Sequence, residues 1–79
     1  MILVDARGHR CPVPTLRLRR ALEAAAPGEC VALLADDPLA RVDVPHFARV
    51  SGCELVATEA QGSALRFVVR RPPTPHPAG

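Results

Sequence analysis

The chain has 79 residues, of which 48% are hydrophobic and 23% are charged, with a formal net charge of +2. This length suits one small domain, and the apolar share excludes disorder over most of it. All ten basic residues are arginine, which excludes Schiff-base chemistry and a lysine-dependent phosphate loop. No stretch is long enough to span a membrane, and the first residues lack the pattern of a secretory signal, so we expect a cytoplasmic protein.

The first half of the chain predicts a strand, a helix and a second strand. Residues 1–5 form a short apolar run that ends at a turn over residues 6–8. Residues 12–26 are strong helix formers that end at a Pro-Gly pair. The apolar face of this helix comprises Leu18, Leu22 and Ala25. Residues 29–35, ECVALLA, form a continuous apolar run, which is typical of a parallel strand buried by its neighbours.

The second half predicts a helix and then a hairpin. Asp37 and Pro38 are a typical helix start, because the carboxylate can cap the helix and proline suits its first position. A second start at Asp43 predicts that this helix begins as one turn and restarts before Gly52 ends it. Its predicted apolar side comprises Phe47, Ala48 and Val50. Residues 53–59 and 64–70 predict two strands joined by a turn over residues 60–63.

The order βαβαββ restricts the topology. Two right-handed crossovers place both helices on one face of the sheet. If the final hairpin folds back between the second and third strands, the sheet order is 1-2-4-3 with the fourth strand antiparallel. We therefore predict a two-layer α/β (α+β) sandwich with a four-stranded mixed sheet over residues 1–71. A proline-rich tail over residues 72–79 is expected to be disordered or extended.

Cys11 is the candidate reactive residue. It follows the turn at Gly8 and lies beyond the carboxyl end of the first strand, where sites gather in such sheets. We predict that Cys11 is the helix N-cap, followed by Pro12 and, as third helical residue, Pro14. Because neither proline has an N–H, the donors near the sulfur should be chiefly those of two residues, Val13 and Thr15.

Arginines surround this cysteine in the sequence. The positive end of the helix, with Arg7 and Arg10, should lower the pKa of the thiol and favour the nucleophilic thiolate. A basic rim around the sulfur would dock a partner protein, although a solvated helix face explains the same pattern. The residues of this predicted rim are Arg7, Arg10, Arg17 and Arg20.

The other cysteines and the histidines predict no further chemistry. The three cysteines contain no C-x-x-C pair, which speaks against a disulfide scaffold or a zinc site. Cys30 and Cys53 are expected to be small buried hydrophobic residues. His9 is expected to be a loop residue, and His46 and His76 are too dispersed to predict a metal site.

Two segments resemble one known family. Residues 4–22, VDARGHRCPVPTLRLRRAL, resemble the head of the TusA (SirA-like) sulfur-carrier family, with its L-D-x-x-G-x-x-C-P-x-P signature before a helix. Residues 36–55, DDPLARVDVPHFARVSGCEL, are similar to the family's second segment, D-P-x-x-x-x-D-[IV]-P-x-F ending in a glycine. The sequence departs from the family at His9, commonly a leucine, and at Cys53, often a histidine, and it has arginines for the usual lysines on the first helix.

The resemblance implies a function as a sulfur carrier of the sulfurtransferase class. Cys11 would accept sulfane sulfur as a persulfide from a donor protein of the cysteine desulfurase or rhodanese type and pass it to an acceptor protein, without a cofactor. Family members serve tRNA thiolation, molybdenum-cofactor synthesis or sulfur oxidation, and the sequence does not choose among them or indicate an oligomeric state. We expect no metal, no membrane and no direct nucleic-acid partner.

Two alternatives remain open from the sequence. A monothiol redox protein is one, because C-P-x-P is similar to a C-P-x-C site without its second cysteine. A nucleic-acid-binding module is the other, given the arginines and the two-layer fold. The chain has only two phenylalanines and no tryptophan or tyrosine, so it lacks residues on which bases stack.

Overall fold

A computed structural model describes residues 1–72 of the chain. Its elements are β1 (Ile2–Asp5), α1 (Val13–Ala24), β2 (Cys30–Ala35), α2 (Ala40–Ser51), β3 (Glu54–Gln61) and β4 (Ala64–Arg70). β2 pairs parallel to β1 and antiparallel to β4, and β4 pairs antiparallel to β3. The sheet order is therefore β1-β2-β4-β3, which confirms the predicted topology. The predicted tail lies, apart from its first residue, outside the described residues.

One hydrophobic core fills the space between the sheet and the two helices. Alternate residues of β2 contribute Val31, Leu33 and Ala35, as the period of two in a strand requires. Leu18 and Leu22, four residues apart on α1, pack onto them. The α2 and β4 residues of this core are Ala40, Val44, Ala48, Phe67 and Val69. The core thus fixes the starts of both helices at the same end of the sheet.

α2 is one continuous helix, so the predicted restart at Asp43 is wrong. The Asp37 carboxylate accepts the Leu39 N–H at 3.1 Å, and the Asp37 carbonyl accepts the Ala40 N–H at 3.0 Å. The turn after Asp37 therefore leads directly into α2. Pro45 lies inside the helix without interrupting it. The Asp43 side chain consequently has no helix start of its own to cap.

The buried stripe of α2 shares only Ala48 with the predicted apolar side. Val50, predicted on the apolar side, is 71% exposed. A spacing of four residues places Ala40 and Val44 in the core together with the predicted Ala48. Gly52 ends the helix as predicted, with a left-handed φ of 76° that favours glycine.

Arg71 attaches the end of the described chain to α1. Its Nη1 donates to the backbone carbonyls of Leu22, Glu23 and Ala25. The last carbonyls of a helix have no partner within it, so a cation here satisfies them and opposes the helix dipole. Among the described residues, no helix has the length and apolar character needed to cross a membrane.

Candidate functional site

The loop between β1 and α1 carries Cys11, at the end of the sheet where the sequence predicts it. The Ala6 N–H donates to the Leu34 carbonyl at 2.8 Å, so the loop leaves the sheet from a fixed point. Gly8 has a φ of +85°, and its N–H donates to the Asp36 carboxylate at 2.9 Å. These bonds hold a loop that presents an exposed, free Cys11 thiol.

The C-P-x-P segment starts the helix one residue later than predicted. Pro12 is the N-cap and Val13 the first helical residue, so the prediction that Cys11 caps α1 is wrong. Pro14 is the second helical residue and is buried. The Val13 N–H donates to the Arg10 carbonyl at 2.9 Å and is therefore not directed at the sulfur. The turn through the prolines thus uses the Val13 N–H, which is one of the donors predicted to face a thiolate.

Two aspartates from the other side of the site contact Cys11. Asp37, only 7% exposed, accepts the Cys11 backbone N–H at 2.6 Å, while its other oxygen accepts the Leu39 N–H. Asp43 accepts the Cys11 S–H at 2.6 Å. From the sequence alone, both aspartates are expected to be helix caps, and their contacts with Cys11 are not predicted. The signal that could have found them is the position of Asp37 and Asp43 within the second segment that resembles the family.

The carboxylates reverse the predicted chemistry of the thiol. The hydrogen bond to Asp43 raises the pKa of Cys11 above its ordinary value, and partial desolvation by neighbouring atoms and the negative charges of Asp43 and Asp37 act in the same direction. The prediction of a lowered pKa is therefore wrong. Conversely, the N–H bonds from Cys11 and Leu39 lower the pKa of Asp37, with a smaller contribution from Arg10. Asp37 is thus a fixed anion beside the cysteine.

The four arginines of the predicted rim have different roles. Arg7 donates from Nε and Nη2 to the two Asp5 carboxylate oxygens, at 2.9 and 2.7 Å, and these bonds lower the pKa of Asp5 to about 2. Arg17 donates to the Asp5 backbone carbonyl at 2.7 Å. These two arginines therefore hold the end of β1. Arg10 and Arg20 are exposed and remain candidates for partner contact.

A groove lies between the two helices, and its lining residues include neither Cys11 nor the aspartates that contact it. Thr15, predicted as a donor to the sulfur, is half-buried in its wall. Leu16 and Val50 also line the groove, and they are 51% and 71% exposed. The groove thus carries exposed apolar side chains from both helices.

The remaining cysteines and histidines lie apart from one another. Cys30 and Cys53 are free thiols. They are half-buried, whereas the sequence predicts that they are buried, and Cys53 packs against the core. His9 is an exposed loop residue and His46 lies on α2, whereas His76 is outside the described residues. Within residues 1–72, no group of three histidine, cysteine or acidic side chains is arranged to hold a metal ion.

Known proteins share this fold and this segment of sequence. The structure of the SirA-like protein from Desulfitobacterium hafniense is similar, with a TM-score of 0.79 and 27% sequence identity. The similarity covers 91% of this chain and 99% of that chain. A family model described as sulfurtransferase TusA matches residues 2–71, a span that contains Cys11 and both aspartates that contact it. The chain therefore belongs to the TusA family of sulfur-carrier proteins and sulfurtransferases.

Proposed function

We propose that Cys11 carries sulfane sulfur as a persulfide, which it receives from a donor protein and passes to an acceptor protein. The observation that supports this most directly is an exposed, free thiol on a loop held at both ends. A carrier must present its sulfur to two different proteins in turn, and exposure permits this. The bonds of Gly8 and Cys11 to aspartates keep the sulfur in one place for both encounters.

The transfer step needs no cofactor. The Cys11 sulfur attacks the outer sulfur of a donor persulfide, R–S–SH. The donor's S–S bond breaks as the new S–S bond forms, and the Cys11 proton passes to the thiolate of the donor. The products are Cys11–S–SH and R–SH, so sulfur is moved without net oxidation or reduction. Attack by an acceptor on the outer sulfur then releases the Cys11 thiol.

The family suggests the chemical class of the partners. Donors of the cysteine desulfurase or rhodanese type present a persulfide on an enzyme cysteine, which is the substrate that this step requires. The acceptor would serve tRNA thiolation, molybdenum-cofactor synthesis or sulfur oxidation. We assign partner contact to the exposed Arg10 and Arg20, because charge speeds encounter without requiring a tight complex. We also assign it to the groove between the helices, because the groove exposes the apolar Leu16 and Val50.

Intact mass spectrometry tests the assignment. After incubation with a cysteine desulfurase and L-cysteine, the parent protein should gain one sulfur atom. The Cys11→Ser variant should gain none, whereas the matched controls Cys30→Ser and Cys53→Ser should load as the parent does. Loading of Cys11→Ser would refute the site. A glutathione adduct on Cys11 without any sulfur addition would favour a monothiol redox protein.

A further inference from the structure

Cys11 is exposed, yet its proton is held by a residue from another element. The Cys11 Sγ donates to Asp43 Oδ2 at 2.6 Å. Asp43 lies on α2, whereas Cys11 lies in the loop before α1. Asp37, from the loop after β2, binds the backbone N–H of the same cysteine. Two elements thus place carboxylates against the residue that is proposed as the nucleophile.

The surroundings of this thiol are mainly acidic. The charged groups that face it are Asp37 and Asp43, with Asp36 and Arg10 beside Asp37. In the described part of the chain, every ion pair joins an arginine to an acid elsewhere, namely Asp5, Glu23, Glu54 or Glu59. A thiolate at Cys11 would lose its hydrogen bond to Asp43 and meet these negative charges. Since the thiolate is the reactive form, the isolated protein should react slowly at neutral pH.

Building on the proposed function, we propose that Asp43 determines which donors can load Cys11. The hydrogen bond from the Cys11 thiol to Asp43 slows loading by small anionic persulfides. A donor protein breaks this bond when it brings a cationic side chain to the Asp43 carboxylate. A guanidinium or ammonium group paired with Asp43 would withdraw the acceptor of the S–H bond and reduce the negative charge at the sulfur. Glutathione persulfide has two carboxylates against one ammonium group, so its net negative charge disfavours this pairing.

Loading by either kind of donor is the same transfer of an outer sulfur atom to Cys11, without net oxidation or reduction. With a small persulfide, G–S–SH, the products are Cys11–S–SH and G–SH, and the Cys11 proton passes to the departing glutathione thiolate. With a cationic protein donor the same bonds form and break. The two donors differ in how readily Cys11 loses its proton before attack. With the cationic protein donor, Asp43 is paired with the donor and no longer accepts the S–H bond.

The variant Asp43→Asn keeps the size and an acceptor oxygen but removes the charge. It should be made in a chain that already has Cys30→Ser and Cys53→Ser, so that only Cys11 reacts. We expect the pH midpoint of iodoacetamide alkylation to move to lower pH. The rates of alkylation and of loading from glutathione persulfide at neutral pH should both rise several-fold.

Two further variants separate this role from a general change of charge. Glu23→Gln removes one negative charge on α1, where the acid pairs with Arg19 rather than with Cys11, and should keep the parent profile. Asp43→Glu restores a carboxylate and should move the profile back toward the parent. An alkylation profile of Asp43→Asn that coincides with that of the parent or of Glu23→Gln would refute the role of Asp43.

A protein donor tests the selectivity. Loading should be followed by intact mass with a cysteine desulfurase and L-cysteine, beside glutathione persulfide. In Asp43→Asn the ratio of the desulfurase rate to the glutathione persulfide rate should fall several-fold, and an unchanged ratio would refute selection by Asp43. Failure of both the desulfurase and glutathione persulfide to load Cys11 of the parent would refute the proposed function instead, whereas the alkylation profile decides the role of Asp43 without any sulfur donor.

Discussion

The left-handed backbone at Gly8 permits a prediction about the loop that presents Cys11. Gly8 has a φ of +85°, a conformation that alanine adopts only with strain. A Cβ added at this position would meet no atom within 4 Å, so the substitution Gly8→Ala introduces no steric overlap. Its effect on the free energy of unfolding therefore comes from the backbone alone.

The size of this effect follows from two opposing contributions. The left-handed conformation costs a residue other than glycine about 1–2 kcal/mol. Alanine also restricts the unfolded chain, which offsets about 0.4–1 kcal/mol of that cost. We expect the free energy of unfolding to fall by about 1 kcal/mol, or the Tm by about 4–8 °C in a domain of this size.

Urea unfolding followed by circular dichroism measures this loss, and Gly62→Ala is the matched control. Gly62 has a φ of +61°, also in open space, but it lies in the β3–β4 turn. Both variants should lose stability. Only Gly8→Ala should raise the alkylation rate of Cys11, because rotation at Gly8 disturbs the loop bonded to Asp36 and weakens the Cys11–Asp43 contact. An unchanged unfolding midpoint in Gly8→Ala, or equal alkylation changes in both variants, would contradict this reasoning.

Three other predictions concern the helix end, acid stability and docking. Arg71→Ala should lower the free energy of unfolding by about 1–2 kcal/mol in urea titrations, because α1 loses the cation on its last carbonyls, and Arg71→Lys should lose less. The pKa values of Asp5 and Asp37 are lowered in the fold, so their stabilisation is present above the unfolded-state pKa of about 3.9 and is lost at lower pH, for Asp5 as the pH falls toward about 2. The Tm should fall over that window, and less steeply in Asp5→Asn. Arg20→Glu should slow loading from a protein donor through its association rate and weaken the salt dependence, whereas equal rates at low ionic strength would exclude a docking role.

The sequence by itself determined the elements and their order. Local patterns predict the elements without knowledge of the fold, because they depend only on residues close together in the chain. They include the apolar runs of the strands, the apolar face of a helix through Leu18 and Leu22, and the turns at glycines. The handedness of the crossovers then restricted the sheet to the observed order. The placement of Cys11 between a glycine turn and a helix start is local in the same way, and two separated segments sufficed to indicate the family.

Only the tertiary structure decided the chemistry around that cysteine. Asp37 and Asp43 follow Cys11 by 26 and 32 residues, and they meet it because β2 brings the start of α2 beside the start of α1. From the sequence, the positive helix end, Arg7 and Arg10 are expected to act on the thiol, but Arg7 binds Asp5 instead. The pKa of a side chain depends on which charges and hydrogen bonds lie within a few ångströms of it, whatever their separation along the chain. The direction of the shift at Cys11 therefore became visible only once the distant aspartates were in place.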